Sequence, residues 1–268
     1  MKQKLIISIG NQLGNCLRII TSCLIIAEHY DLDVLIDMKN TYLQDKDRAV
    51  INALFGDKCS LNPPPYSKLD YVNCVSFDQF YGTNFHLICE GRFKKQIETD
   101  FSISSNIYSV IPADMNEDDY VARKIRLYKS LTLPSFLQNE LNQHDLHEYI
   151  GVHIRYTDNL TDKSKQPLNT PLSAFLEKIT QLGDQKLLIV SDNKDVLKNI
   201  PRKDTIIFAN KCSNPLFQAF YEMCLLSKTK LIIGSNSSTF SYEASFLQGT
   251  DIELYENNTW KLYKINRP

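Results

Sequence analysis

Four short apolar runs, each ending in a polar or glycine-bearing cluster, constrain this chain more than any other feature. They cover residues 5–9, 149–154, 187–190 and 231–233. Isoleucine, valine and leucine dominate them, as expected of strands buried on both faces. After the first run, Leu13, Leu17, Ile20, Leu24 and Ala27 recur at steps of three and four, which gives a helix one apolar face. Residues 34–36 then read as a second strand. A strand, a turn, a helix and another strand in that order predict a parallel sheet covered by helices.

The second half of the chain repeats this order more regularly. Thr170-Pro171 reads as the cap and first turn of a helix running to Leu182-Gly183. The run 187–190 ends in Ser191-Asp192-Asn193, and residues 205–208 form a further strand. Asn214-Pro215 caps a helix that runs through Leu226. The run 231–233 ends in Gly234-Ser235, and Ser238 or Thr239 caps a helix that runs through Leu247, with Gly249 past its end.

Between the halves the pattern is less regular. Asn62-Pro63-Pro64-Pro65-Tyr66 must be extended. Residues 71–75 and 85–89 read as strands, and 117–130 as a helix with acidic residues in its first turn. Leu133-Pro134 ends that helix or opens a short one, and polar residues 139–148 carry the boundary between halves. The expectation is an α/β chain of two doubly wound, Rossmann-like domains, residues 1–147 and 148–268.

Composition narrows the partners. A net charge of -1 gives no global basic field, so nucleic acid and anionic membrane are not expected, and any anion site must be local. The cysteines are seven, an odd number without a Cys-x-x-Cys pair. They read as buried reduced thiols, which places the chain in the cytoplasm. No histidines pair at ligand spacing, so no metal is expected. The first apolar run is too short for a signal peptide core or a transmembrane segment.

Four polar clusters follow expected strands: Asn11/Gly14/Asn15, His153/Arg155/Asp158, Asp192/Asn193 and Ser235/Ser237/Ser238/Thr239. In open parallel sheets ligands bind outside the carboxyl ends of the strands. Arg155 offers a guanidinium fork suited to phosphate, and His153, two residues earlier, shares its strand face. A plain salt bridge between Arg155 and Asp158 would also account for the arginine. Asp192 can accept two N–H bonds from a guanine edge or bind a ribose hydroxyl, or it can cap a short helix near Lys194. The hydroxyls at 235–239 can line an anion site at a helix N-terminus, or one of them can serve as an ordinary cap. Gly10-Asn11-Gln12-Leu13-Gly14-Asn15 lets backbone approach a ligand closely but does not meet the dinucleotide pattern G-x-G-x-x-G.

Taken together the clusters carry a resemblance. Val152-His153-Ile154-Arg155-Tyr156-Thr157-Asp158 resembles the H-x-R-R-T-D motif of the superfamily of α-1,2-, α-1,6- and protein O-fucosyltransferases. Ser191-Asp192-Asn193 resembles its S/T-D-D motif. Residues 234–244, from Gly234-Ser235 through Ser238-Thr239-Phe240-Ser241 to Ala244, are similar to its G-S-x-x-S-T/S-F-S-x-x-A motif. Residues 10–15 resemble its G-x-G-N loop. The resemblance implies a GT-B glycosyltransferase of two Rossmann-like domains facing a central cleft. It works without a metal or other cofactor, on a nucleotide-sugar donor and a glycan acceptor.

By that resemblance Arg155 holds the donor's β-phosphate and His153 contacts the nucleotide. Asp192 reads guanine, Ser238 and Thr239 meet the pyrophosphate, and Asn11 and Gly14 belong to the loop that approaches the donor. Asn15, Ser235 and Ser237 stand with the donor-binding residues. Asp158 and Asp162 are candidates for a base that deprotonates the acceptor, and the loops of residues 38–109 are the expected acceptor side. Two positions depart from the family: Tyr156 replaces its second arginine, and Asn193 its second aspartate.

The reading is therefore an inverting transferase that moves fucose from GDP-fucose to a glycan hydroxyl. The alternatives are a UDP-sugar donor or a binding protein that has lost catalysis. A dehydrogenase or methyltransferase built on residues 10–14 would leave His153, Arg155 and residues 234–241 unexplained.

Overall fold

The computed structural model describes residues 4–8, 13–37, 45–61, 90–93, 101–103, 109–156, 170–198, 200, 205–206, 212–236 and 238–265. The chain divides into two compact units, Met1–Ser135 and Phe136–Pro268.

The first unit opens with β1 (Lys4–Ser8), α1 (Leu13–Tyr30), β2 (Asp33–Asp37), α2 (Asp45–Phe55) and β3 (Ser60–Leu61). It continues with β4 (Glu90–Phe93), β5 (Phe101–Ile103), β6 (Ser109–Pro112) and α3 (Glu117–Lys129). Four strands form a parallel sheet in the order β3-β2-β1-β5, and β4 pairs with β6 in a second parallel sheet. The chain winds outward from β1 to β3 and then returns to the other side of β1 as β5. That reversal is the doubly wound pattern expected from residues 5–36.

α1 turns Leu13, Cys16, Leu17, Ile20, Cys23 and Ala27 into the core. Its buried hydroxyls bond back to the preceding turn, Thr21 Oγ1 to the Leu17 carbonyl at 2.8 Å and Ser22 Oγ to the Arg18 carbonyl at 2.8 Å. Ser22 Oγ also meets the Tyr120 hydroxyl of α3 at 2.8 Å, which ties the two helices together. α2 went unread in the sequence, although Val50, Ile51, Leu54 and Phe55 are buried at helical spacing. The strands expected at 71–75 and 85–89 lie outside the described residues.

The second unit contains α4 (Ser135–Asn142, whose first residue closes the preceding unit), β7 (Ile150–Ile154), α5 (Leu172–Gln181), β8 (Leu187–Ser191), α6 (Lys194–Leu197) and β9 (Thr205–Ile206). It ends with α7 (Pro215–Ser227), β10 (Leu231–Gly234), α8 (Thr239–Gln248), β11 (Ile252–Glu256) and β12 (Thr259–Tyr263). The division falls at 135/136, ahead of the expected 147/148. The reason is that α4 packs with the second unit: Phe136 meets Phe217 of α7 edge-on at 5.4 Å, and Lys228 Nζ donates to the Leu141 carbonyl at 2.5 Å.

Six strands run in the order β12-β11-β10-β7-β8-β9. All neighbours are parallel except β12, which closes a hairpin on β11. The hairpin turns at Asn257 and Asn258, both left-handed with φ 50° and 60°, where asparagine is among the residues best able to sit. From β7 the chain winds one way through β8 to β9, then crosses to the other side of β7 as β10. The topological switch therefore lies between β7 and β10, where an open sheet leaves a crevice at its carboxyl edge.

β7 is buried along its whole length and divides its residues by parity. Ile150, Val152 and Ile154 join Phe175 and Ile179 of α5 in one core cluster. Gly151 lies on the opposite face, where a Cβ would come within 2.8 Å of Leu226 Cδ2 and Thr229 Oγ1. Only a residue without a side chain lets the end of α7 approach the strand so closely.

Candidate active site

His153 and Arg155 leave β7 on the Gly151 face. The His153 ring is buried. Its Nδ1 lies 2.7 Å from Ser241 Oγ, and its plane stacks on Phe240 with centroids 4.6 Å apart. Both partners belong to the first turn of α8. Burial and the neighbouring Arg155 charge push the His153 pKa down to about 3, so the imidazole is neutral at neutral pH.

The approach of α8 depends on Gly234. A Cβ there would sit 2.7 Å from Ser241 Cβ and 3.1 Å from Leu254 Cδ2. Ser235 follows and is buried. Its hydroxyl donates to the His153 carbonyl at 3.1 Å and accepts the Arg155 N–H at 2.8 Å. From the other side Asp192 Oδ1, just beyond β8, accepts the Tyr156 N–H at 2.7 Å. Three motif segments distant in sequence are thus hydrogen-bonded to one another at the switch point of one sheet.

Ser238 is the N-cap of α8, with φ -91° and ψ 106°. Its buried Oγ makes no hydrogen bond among the described residues and caps no N–H. Thr239 is the first residue of the helix. The opening N–H groups of α8 have no partners within the helix, so its end carries partial positive charge on the side of the sheet from which Arg155 emerges. Such an end suits a phosphate.

Other positions differ from expectation. The cap near Lys194 is Asn193, whose side chain accepts the Asp195 N–H at 2.9 Å, which leaves Asp192 to its contact with Tyr156. The departure from a second family aspartate is thereby a helix cap. Tyr156 packs against the core cluster of Val152, Ile154 and Phe175, because its even position continues the core face of β7. The departure from a second family arginine is thereby a packing residue. Thr170 caps nothing. It is buried, and its Oγ1 accepts the Asn236 N–H at 2.9 Å, pinning the loop between β10 and α8.

Of the other expected site residues, Gly14 and Asn15 lie in the first turn of α1, beyond the carboxyl end of β1 in the first unit. Asn11, Asp158, Asp162 and Ser237 lie outside the described residues, as does the alternative ion pair of Arg155 with Asp158. Sequence reasoning missed the structural work of Ser241, Phe240 and Thr170. Ser241 and Phe240 stood in a motif already noted, but only the fold shows that they meet His153.

No family model matches the sequence, and no curated protein matches it. Solved structures do. Fucosyltransferase NodZ from Bradyrhizobium superposes with a TM-score of 0.60 and 15% identity, over 98% of this chain and 99% of that one. NodZ α-1,6-fucosyltransferase co-crystallized with GDP gives 0.60 and 16%, over 98% and 99%. A variant of Arabidopsis thaliana FUT1 in complex with GDP gives 0.59 and 16%, over 97% of this chain and 72% of that one. At such identities the likeness is one of fold. The chain has the fold of these fucosyltransferases.

Proposed function

We propose that this chain is an inverting, metal-independent glycosyltransferase that moves fucose from GDP-fucose to a hydroxyl of a glycan. The observation that carries the reading is the hydrogen-bonded junction of His153–Tyr156, Asp192 and Ser235 at the switch point, beside the N-terminus of α8. Two features support the donor. NodZ has been soaked with GDP-fucose and co-crystallized with GDP, and the site pairs a cation with a helix end, as a diphosphate requires.

Breaking the bond between sugar and diphosphate builds negative charge on the β-phosphate. Arg155 binds that phosphate, and the N–H groups of α8 with the Ser238 and Thr239 hydroxyls bind the pyrophosphate. These donors are held in place before the reaction, so they stabilise the developing charge without reorganising. Asp192 accepts from the guanine edge, while His153, neutral and held by Ser241, contacts the nucleotide. Asn11, Gly14 and Asn15 are assigned to the donor, and the loops of residues 38–109 to the acceptor. The acceptor hydroxyl loses its proton to a carboxylate, for which Asp158 and Asp162 are the candidates.

Among the described residues no helix is long and apolar enough to cross a membrane. Cys23, Cys59, Cys212 and Cys224 are free thiols, which supports a cytoplasmic location.

The test is thermal unfolding with GDP, UDP and their sugar conjugates, followed by GDP release from GDP-fucose in the presence of glycans. GDP and GDP-fucose raise the unfolding temperature, because a ligand that binds only the folded chain stabilises it. A preference for UDP overturns the donor assignment. GDP binding with no turnover on any acceptor leaves a binding protein instead of an enzyme.

A further inference from the structure

The regular pairing of β7 stops short of the residue that matters most. Its ladder with β10 ends at Val152 opposite Ile233, and its ladder with β8 ends at Ile154 opposite Ser191. Arg155 and Tyr156 therefore emerge where no strand remains to hold their backbone. Side chains take over from both sides. Ser235, the first residue past β10, accepts the Arg155 N–H at 2.8 Å, and Asp192, the first residue past β8, accepts the Tyr156 N–H at 2.7 Å. The N–H groups on either side of the Arg155 α-carbon are thus tied to opposite neighbouring strands.

We propose that Ser235 and Asp192 are positioning residues that clamp the backbone of Arg155 and so set where its guanidinium meets the donor phosphate. The proposal rests on the GDP-sugar reading given above. It takes Ser235 out of the donor contacts. Its hydroxyl has one proton, which goes to the His153 carbonyl, and it also accepts from Arg155, so the group is committed to the strand end. It gives Asp192 a second task beside any contact with the base. A guanidinium is carried on a long flexible stem, so a fixed α-carbon limits the orientations it can waste, and small displacements of a binding group cost rate steeply.

The experiment is a double-mutant cycle on GDP affinity, measured by calorimetry with the full chain. Ser235→Ala weakens GDP binding about tenfold when Arg155 is present and by less than about twofold in the Arg155→Ala background, because the loss runs through the arginine. Unfolding temperatures are read for all four proteins. If Ser235→Ala does not fold, Ser235→Cys serves in its place, since a thiol keeps the buried volume filled while weakening both hydrogen bonds. Equal losses in the two backgrounds would show that Ser235 touches the nucleotide or supports the fold generally, and they overturn the positioning role alone. No GDP binding by the unsubstituted chain overturns the nucleotide reading and this proposal with it.

Discussion

Ser241 Oγ lies 2.7 Å from Nδ1 of His153, so a hydroxyl in the first turn of α8 holds an imidazole that stands in the middle of a sheet. Phe240 stacks on the same ring. The histidine is fixed by the first turn of α8, so the end of β7 and the N-terminus of that helix are built as one piece.

That closeness predicts the effect of Gly234→Ala. The new Cβ would fall 2.7 Å from Ser241 Cβ, and neither α8 nor β10 can yield without moving the other. Overpacking of this kind lowers stability by about 1–3 kcal/mol. Denaturant unfolding measures it, and an unchanged midpoint contradicts the close packing of helix and strand.

Stability should also depend on pH through His153. Its pKa in the folded chain is about 3, below the ordinary 6.5, so between these values the unfolded chain binds the extra proton. Stability therefore rises with pH across that window and is lost as pH falls from about 6.5 toward 3. His153→Gln removes up to about 1.4 kcal/mol per pH unit from the slope. Equal slopes in the two proteins, measured from pH 4 to 6.5, would mean that the imidazole is not held neutral.

Arg155→Ala should reduce GDP-fucose turnover roughly a hundred- to thousandfold, the usual cost of removing one preorganised donor. The side chain is half-buried at a strand end, so the unfolding temperature should change little. Near-normal turnover would move the leaving-group site elsewhere.

At Asp192 two substitutions separate. Asparagine keeps a carbonyl oxygen for the Tyr156 N–H, whereas alanine leaves that N–H without its partner. Both lose the carboxylate that would read guanine. GDP affinity should fall in both variants, and further in Asp192→Ala, by up to about tenfold. Identical affinities would show that the Tyr156 contact contributes nothing.

The second unit was legible because its strands are continuous apolar runs and its helices carry local caps. Asn214 accepts from the N–H groups of Leu216 and Phe217, and Gly249 takes the left-handed φ of 81° expected past a helix. The β11–β12 hairpin was not anticipated, although Ile252, Leu254 and Glu256 alternate inward and Asn257-Asn258 marks the turn. A charged residue at a core-facing position broke the apolar pattern. Glu256 is accommodated by the Tyr263 hydroxyl at 2.7 Å and Lys261 at 3.3 Å, partners on the facing strand that no local window reveals. The candidate site was legible only as clusters of residue types after strands. Its wiring was not, because Ser235, Thr170 and Ser241 bond to partners at least 66 positions away in the chain.

The parity of β7 has one further consequence. Even positions 150 to 156 pack on the core cluster, and of the odd positions Gly151 makes room for the end of α7 while His153 and Arg155 face the candidate site. Removing or adding one residue within the strand would exchange the two sets, driving Arg155 into the hydrocarbon of Phe175 and Ile179 and turning Tyr156 toward the phosphates. The even positions can exchange one apolar residue for another, but a change in length is not tolerable, so descendants of this chain must keep the residue count of β7.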